Sequence, residues 1–154
     1  METSKTLTNG HDPFAAMEIP VNVPQRVEIL DAKTQQPILD PDGQPGYIEL
    51  VSMDSDRAQA QLRDNERRRR ARAQRNGGRD TTTPEEAEAE LVELYTAITV
   101  GWHLVGPGGQ VLDVPCTPAN ARAFYRDNRF AWVRRQVDQF CSNVANFIQP
   151  SSPT

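Results

Sequence analysis

Two short segments near the start of the chain are predicted strands: residues 25–31 alternate apolar and polar side chains, and residues 47–53 are the expected partner. In the first segment the apolar positions are Val27 and Ile29, which is the period of a strand with one buried face. The loop between the two segments contains an Asp-Gly pair, a strong signal for a hairpin turn. The pattern therefore predicts a β-hairpin over residues 25–53.

The last third of the chain has the apolar spacing of amphipathic helices. Thr83 opens a capping-box sequence with proline at the first helical position, and we expect this helix to end near Gly101. The apolar face predicted for this helix consists of Ala87, Leu91, Leu94, Tyr95, Ile98 and Trp102. Thr117, also followed by proline, predicts a second helix, and residues 130–147 predict a third. Residues 83–148 are thus a helical module.

The aromatic residues are concentrated in residues 99–148, which contain both tryptophans and four of the five phenylalanines. We assign Trp102, Trp132 and Phe140 to the core of this module. Residues 105–114 are rich in glycine and proline, so we expect a turn-rich loop or a small hairpin there. The predicted fold class is α+β: an N-terminal β-hairpin followed by a small bundle of three to four α-helices.

Residues 54–79 predict a helix of unusual polarity, in which Leu62 is the one large apolar side chain. Residues 56–79 contain nine arginines and three acidic residues, a net charge of +6, so the rest of the chain carries −10. The arginines are Arg57, Arg63, Arg67, Arg68, Arg69, Arg70, Arg72, Arg75 and Arg79. A helix this polar buries little surface, and we expect it to protrude or fray unless a partner covers it.

The chain begins with a polar segment that becomes apolar and proline-rich before the hairpin. We expect residues 1–24 to form a disordered or extended arm that docks on a neighbour. Its candidate partner-binding residues are Phe14, Met17 and Ile19. Residues 25–148 are the single predicted domain, and residues 149–154 a disordered tail. We expect neither a signal peptide nor a membrane-spanning segment.

The residues capable of catalysis or metal binding stand apart from one another in the sequence. His11 and His103 lack the regularly spaced partners of a metal or base site, so we expect both to be structural or incidental. Cys141 lies on an apolar helix face, and Cys116 has no nearby histidine to act as its base. We therefore predict no catalytic residue, no metal site and no cofactor, and a protein that is not an enzyme.

The strongest candidate for partner binding in the polar helix is the run Arg67, Arg68, Arg69 and Arg70. Arginine-rich helices bind RNA in some proteins, but residues 54–83 contain no aromatic side chain for base stacking. The acidic remainder of the chain also disfavours nucleic acid. An acidic protein face or a second subunit is favoured, with the acidic run 85–93 of a neighbouring copy as a candidate. A solvated face remains the third interpretation.

Three sequence blocks follow one another in the last third: TVGW at 99–102, PCTPANARAFY at 115–125, and WVRRQVD at 132–138 with ANF at 145–147. In order and spacing they resemble the tail assembly chaperones of long-tailed (siphovirus-like) bacteriophages and prophages. The upstream strand pair and arginine-rich helix also resemble the N-terminal half of that family. One departure is Ala119, which stands where the family pattern has glutamate.

The resemblance implies a non-enzymatic assembly factor that binds the tape measure protein and helps recruit tail tube subunits during tail morphogenesis. It also implies self-association into a homo-oligomer and a location in the host cytoplasm. Two other functions are compatible with the residues: a structural virion protein of the phage tail or head, and an arginine-rich nucleic-acid-binding regulator.

Overall fold

The computed structural model describes residues 12–147. In chain order its regular elements are β1 (Gln25–Glu28), β2 (Tyr47–Leu50), α1 (Asp56–Arg75), α2 (Pro84–Ile98), β3 (Thr99–His103), α3 (Pro118–Arg126) and α4 (Ala131–Cys141). Short 3-10 turns lie at Ala15–Met17, Asn128–Phe130 and Val144–Phe147. The predicted α+β class with an N-terminal hairpin is confirmed. The predicted tail and the first eleven residues of the predicted arm lie outside the described residues.

The three strands form an antiparallel sheet in the order β1-β2-β3. Val27 of β1 lies opposite Ile48 of β2, and both side chains are buried. The alternation that predicted the hairpin therefore separates a core face from a solvent face. The Asp-Gly turn is also present, because Gly43 has a φ of +82° and its N–H donates to the Asp40 carbonyl oxygen at 2.9 Å.

The prediction that the helix after Thr83 runs to about Gly101 is wrong, because α2 ends at Ile98 and the chain enters β3. The backbone N–H of Thr99 makes the last helical hydrogen bond to the carbonyl oxygen of Tyr95, and the Thr99 hydroxyl donates to the same oxygen at 2.7 Å. Strand β3 then pairs with β2, where a β-carbon at Gly101 would collide with the carboxylate of Glu49. The absence of a β-carbon at this position thus leaves room for the Glu49 carboxylate.

The prediction of one helix over residues 130–147 is also wrong, because α4 spans Ala131–Cys141 and a 3-10 turn follows. Two side chains donate hydrogen bonds to carbonyl oxygens at the end of the helix. The Ser142 hydroxyl donates to Asp138 O at 2.9 Å, and the Asn146 amide donates to Phe140 O at 3.0 Å. This turn brings Phe147 back onto the core, where it is 1% exposed.

Sheet and helices share one apolar core. Its largest fully buried side chains are Tyr95, Tyr125, Phe147, Ile48, Leu50, Ile98 and Val137. Trp102, Trp132 and Phe140, which the sequence assigned to the core, pack against it but are only partly buried. Trp102 lies on β3 and not on the buried face of α2, whereas Trp132 and Phe140 lie on α4.

Candidate protein-binding surfaces

The arm carries two large apolar side chains that its own core does not cover. Phe14 is 71% exposed and Met17 is 81% exposed. Phe14 precedes the 3-10 turn at Ala15–Met17 and Met17 is its last residue, and residues three apart in such a turn lie on the same side. Ile19, the third predicted contact residue, is half-buried. The arm therefore presents Phe14 and Met17 to solvent and holds Ile19 closer to the domain.

Two hydrogen-bonded contacts attach the arm to the domain close to the start of α1. The Ser52 N–H donates to Val21 O at 3.2 Å. The Asp56 N–H donates to the side-chain oxygen of Asn22 at 2.9 Å, beside the helix N-terminus. The end of the arm and the start of the arginine-rich helix therefore lie at the same corner of the domain.

The helix α1 is as polar as predicted, and Ala58 and Asn65 are its buried residues among those described. Ser55 caps it, accepting a hydrogen bond from the Ala58 N–H at 3.2 Å. Gly77 and Gly78, both at positive φ, follow its end. The side of α1 that carries Asn65 packs against α2, and the Asn65 amide donates to Glu90 O at 3.4 Å.

Ion pairs hold α1 to α2 where apolar contacts are few. The Glu90 carboxylate pairs with the guanidinium groups of Arg69 at 2.7 Å and Arg72 at 3.1 Å. The Arg72 guanidinium also lies 3.5 Å from the Glu86 carboxylate. Burial alone would raise the pKa of Glu90, but the hydrogen bonds from Arg69 and Arg72 outweigh it and hold that pKa below its usual value. The Glu90 carboxylate therefore stays ionised between two guanidinium groups.

These contacts disfavour the candidate in which the acidic run 85–93 of a neighbouring copy faces the arginines, although that contact between copies stays a prediction. In the structure that run is paired within its own chain. Besides the pairs with α1, Glu88 contacts Arg134 and Glu93 accepts from Arg122 at 2.7 Å. Four of its acidic side chains are thus used to join α1, α3 and α4 to α2, which leaves little of the run for a second copy.

The four consecutive arginines predicted to bind a partner do not form one surface. Arg69 is bound to Glu90, as described above. Arg67 and Arg68 share Asp64 on their own helix, each at 3.1 Å. Arg70 is exposed and makes no ion pair within residues 12–147. Arg63 has the same character, although the sequence analysis did not single it out.

The loop over residues 105–114 is an apolar surface that the sequence did not indicate. Val105 bridges to Val111, so the segment folds back as a small hairpin alongside β3. The indole N–H of Trp102 donates to Val114 O at 2.7 Å and fixes the far end of the loop. A partly open apolar cleft of about 110 Å³ lies between this loop and the start of α4; its walls include Leu104, Leu112, Phe124, Phe130 and Trp132.

Both thiols and His103 lie among the described residues. Burial raises the pKa of Cys141 to about 12 and also raises that of Cys116, so both thiols are protonated at neutral pH. His103 lies 2.9 Å from the carboxylate of Asp40 and connects β3 to the hairpin loop. Residues 12–147 contain no group of three His, Cys, Asp or Glu side chains arranged to hold a metal ion. His11 lies outside the described residues.

No protein-family model matches this chain, and comparison with curated proteins and with solved structures finds no match. Among the residues that the structure describes, no helix is long and apolar enough to cross a membrane.

Proposed function

We propose that this protein is a non-enzymatic tail assembly chaperone of a long-tailed bacteriophage. In this proposal it binds the tape measure protein and helps recruit tail tube subunits in the host cytoplasm, as a homo-oligomer without a cofactor. The observation that carries the proposal is the exposed apolar arm, because Phe14 and Met17 are the most exposed large apolar side chains among the described residues. Exposed apolar groups on a small domain are typical of a protein-binding site.

The three blocks that carry the family resemblance support the proposal in a second way. Each block supplies contacts that hold this fold together. Gly101 on β3 leaves room for the carboxylate of Glu49 on β2, and Tyr125 shares a buried hydrogen bond of 2.7 Å with Thr99. Gln136 of the WVRRQVD block binds the backbone of Leu30. Such structural contacts explain why these residues recur at fixed spacing in the resembled family although none of them is catalytic.

Co-expression with the tape measure protein tests the function. We expect the wild-type chain to raise the soluble fraction of that partner, and the variant Phe14→Ser/Met17→Ser to lose most of this effect. Leu39→Ser is the matched control, because Leu39 is 50% exposed and lies outside the arm. A partner that stays equally insoluble with and without the wild-type chain contradicts the proposed function.

The same arm also suits a permanent contact, which keeps a structural virion protein of the tail or head as the second candidate. Mass spectrometry of purified virions separates the two. A chaperone is absent from the finished particle, whereas a structural protein is present at a fixed ratio to the tube subunits.

A further inference from the structure

We propose that Arg63, Arg67 and Arg70 form a docking stripe on α1 for an acidic α-helix of another protein. The proposal rests on the proposed function in one respect, because it assigns the acidic helix to the tape measure protein. It differs from the sequence prediction by adding Arg63 and by leaving out Arg68 and Arg69.

The stripe follows from helix geometry. At 3.6 residues per turn, Arg63, Arg67 and Arg70 fall within about 60° of arc, on a line about 10 Å long. The α2-facing side of the helix, marked by Asn65 and Arg72, lies more than about 120° away. The three arginines therefore project together from the side of α1 that the domain leaves uncovered, and all three are exposed.

The ion pairs leave this stripe available. Arg63 and Arg70 make no ion pair within residues 12–147. Arg67 contacts Asp64 at 3.1 Å, but Asp64 is held at the same distance by Arg68. Arg67 can therefore turn to a partner without leaving an unpaired carboxylate. Arg69, in contrast, is held by the nearly buried Glu90.

Charge and spacing identify the occupant. Arginines separated by four and three residues match carboxylates at the same spacing on a second helix lying along α1. A second copy of this chain is disfavoured, because its most acidic segment is already paired internally through Glu86, Glu88, Glu90 and Glu93. The stripe carries no large apolar side chain, so the contact is electrostatic and reversible.

An extended nucleic acid fits the same surface less well. The helix α1 has no aromatic side chain on which a base stacks. Asp56 lies in line with the stripe at the start of the helix, and a phosphate backbone that follows α1 meets this carboxylate. An acidic helix of about three turns can place its carboxylates opposite the three arginines without reaching Asp56, and the exposed Glu66 lies beside the stripe and not in line with it.

Two triple variants test the proposal in the full chain. The stripe variant is Arg63→Glu/Arg67→Glu/Arg70→Glu. The matched control, Arg57→Glu/Arg68→Glu/Arg75→Glu, makes the same charge change on exposed arginines about 130° away around the helix. Each variant leaves Asp64 one arginine and leaves the contacts of Arg69 and Arg72 intact, and circular dichroism verifies that both fold.

Binding to the purified tape measure protein is measured at two salt concentrations. We expect the stripe variant to raise the dissociation constant by at least about tenfold and the control to raise it by less than about threefold. Wild-type binding weakens as the salt concentration rises. Equal weakening by the two variants, or none by the stripe variant while wild type binds, overturns the stripe and leaves the proposed function standing.

A second probe does not depend on the tape measure protein. A synthetic helical peptide with Glu at positions i, i+4 and i+7 is titrated against the labelled chain, with Gln in the same positions as the control peptide. We expect the side-chain N–H resonances of Arg63, Arg67 and Arg70 to shift with the Glu peptide alone. Shifts centred on Arg57 and Arg75, no shift at all, or tighter binding of a single-stranded RNA oligonucleotide overturns the proposal.

Discussion

The side-chain amide of Gln136 binds both backbone groups of Leu30. The Leu30 N–H donates to the Gln136 side-chain oxygen at 2.8 Å, and the Gln136 amide nitrogen donates to Leu30 O at 2.9 Å. The glutamine thus takes the place of a neighbouring strand and joins α4 to the end of β1, across 106 residues of sequence. The next residues of the block continue the attachment, since Val137 is fully buried and Asp138 accepts from the hydroxyl of Tyr95.

Replacing this glutamine tests the attachment. We expect Gln136→Ala to lower the free energy of unfolding by about 1–2 kcal/mol, because two partly buried backbone groups lose their partners. Urea unfolding measures the change. Gln139→Ala is the control, since Gln139 is exposed one turn away and its loss is expected to cost less than about 0.5 kcal/mol. Equal costs for the two variants would show that the contact with Leu30 is not stabilising.

The close approach at Gly101 makes a prediction about Glu49. The Glu49 carboxylate lies 3.2 Å from the Arg26 guanidinium, and in Gly101→Ala the new β-carbon displaces this carboxylate. We expect a cost of up to about 1 kcal/mol, because the contact is an exposed ion pair. In a Glu49→Ala background the same change is expected to be neutral or stabilising, since alanine costs less backbone entropy than glycine. A double-mutant cycle on urea unfolding measures the coupling, and identical costs in both backgrounds contradict it.

The pairing of Glu90 predicts a pH dependence of stability. Its folded-state pKa lies below the usual value of 4.5, so the stabilisation is present above that value and is lost as the pH falls through the folded pKa. We expect the stability of the wild type to fall more steeply below about pH 4.5 than that of Glu90→Gln. Thermal unfolding from about pH 3 to about pH 7 measures the stability of both proteins as a function of pH.

Glu85→Gln is the control for this experiment. Glu85 is exposed and makes no ion pair within the described part of the chain, so its replacement should leave the wild-type slope unchanged. Parallel curves for wild type and Glu90→Gln would mean that the two arginines do not stabilise this carboxylate in solution.

The two thiols are expected to differ in reactivity. Burial raises both pKa values, and that of Cys141 reaches about 12. Because the thiolate is the reactive form, a disulfide reagent near pH 8, roughly the ordinary thiol pKa, should react slowly with Cys116 and more slowly with Cys141. The single variants Cys116→Ser and Cys141→Ser assign the two phases, and unfolding in urea should make the two rates converge. A faster reaction at Cys141 in the folded protein would contradict its burial.

The sequence predicted those features whose causes lie within a few residues. Thr83 forms the capping box, in which its hydroxyl accepts from the Glu86 N–H at 3.1 Å. Thr117 caps α3 in the same way, and the alternation at Val27 and Ile29 together with the Asp-Gly pair predicted the hairpin. Each of these signals works locally, since a cap needs partners two or three residues away and a strand shows its buried face as a period of two.

The third strand was missed because its pattern is ambiguous. Residues 99–102 continue the apolar spacing of α2, so Trp102 extends the predicted helical face as well as it fits a strand. What decides the outcome is the edge of β2, whose hydrogen-bonding groups need a partner and find it in β3. That partner lies about 50 residues further along the chain, beyond the reach of any local signal.

The candidate site shows the same division. The sequence by itself determined that α1 is polar and arginine-rich, because composition acts along one segment. Only the tertiary structure decided which arginines remain available, since packing α1 on α2 joins Arg69 to Glu90 across 21 residues. Nine arginines are equivalent in a sequence, but the side of the helix that meets a carboxylate is set by the docking of two helices. That docking leaves Arg63 and Arg70 facing solvent.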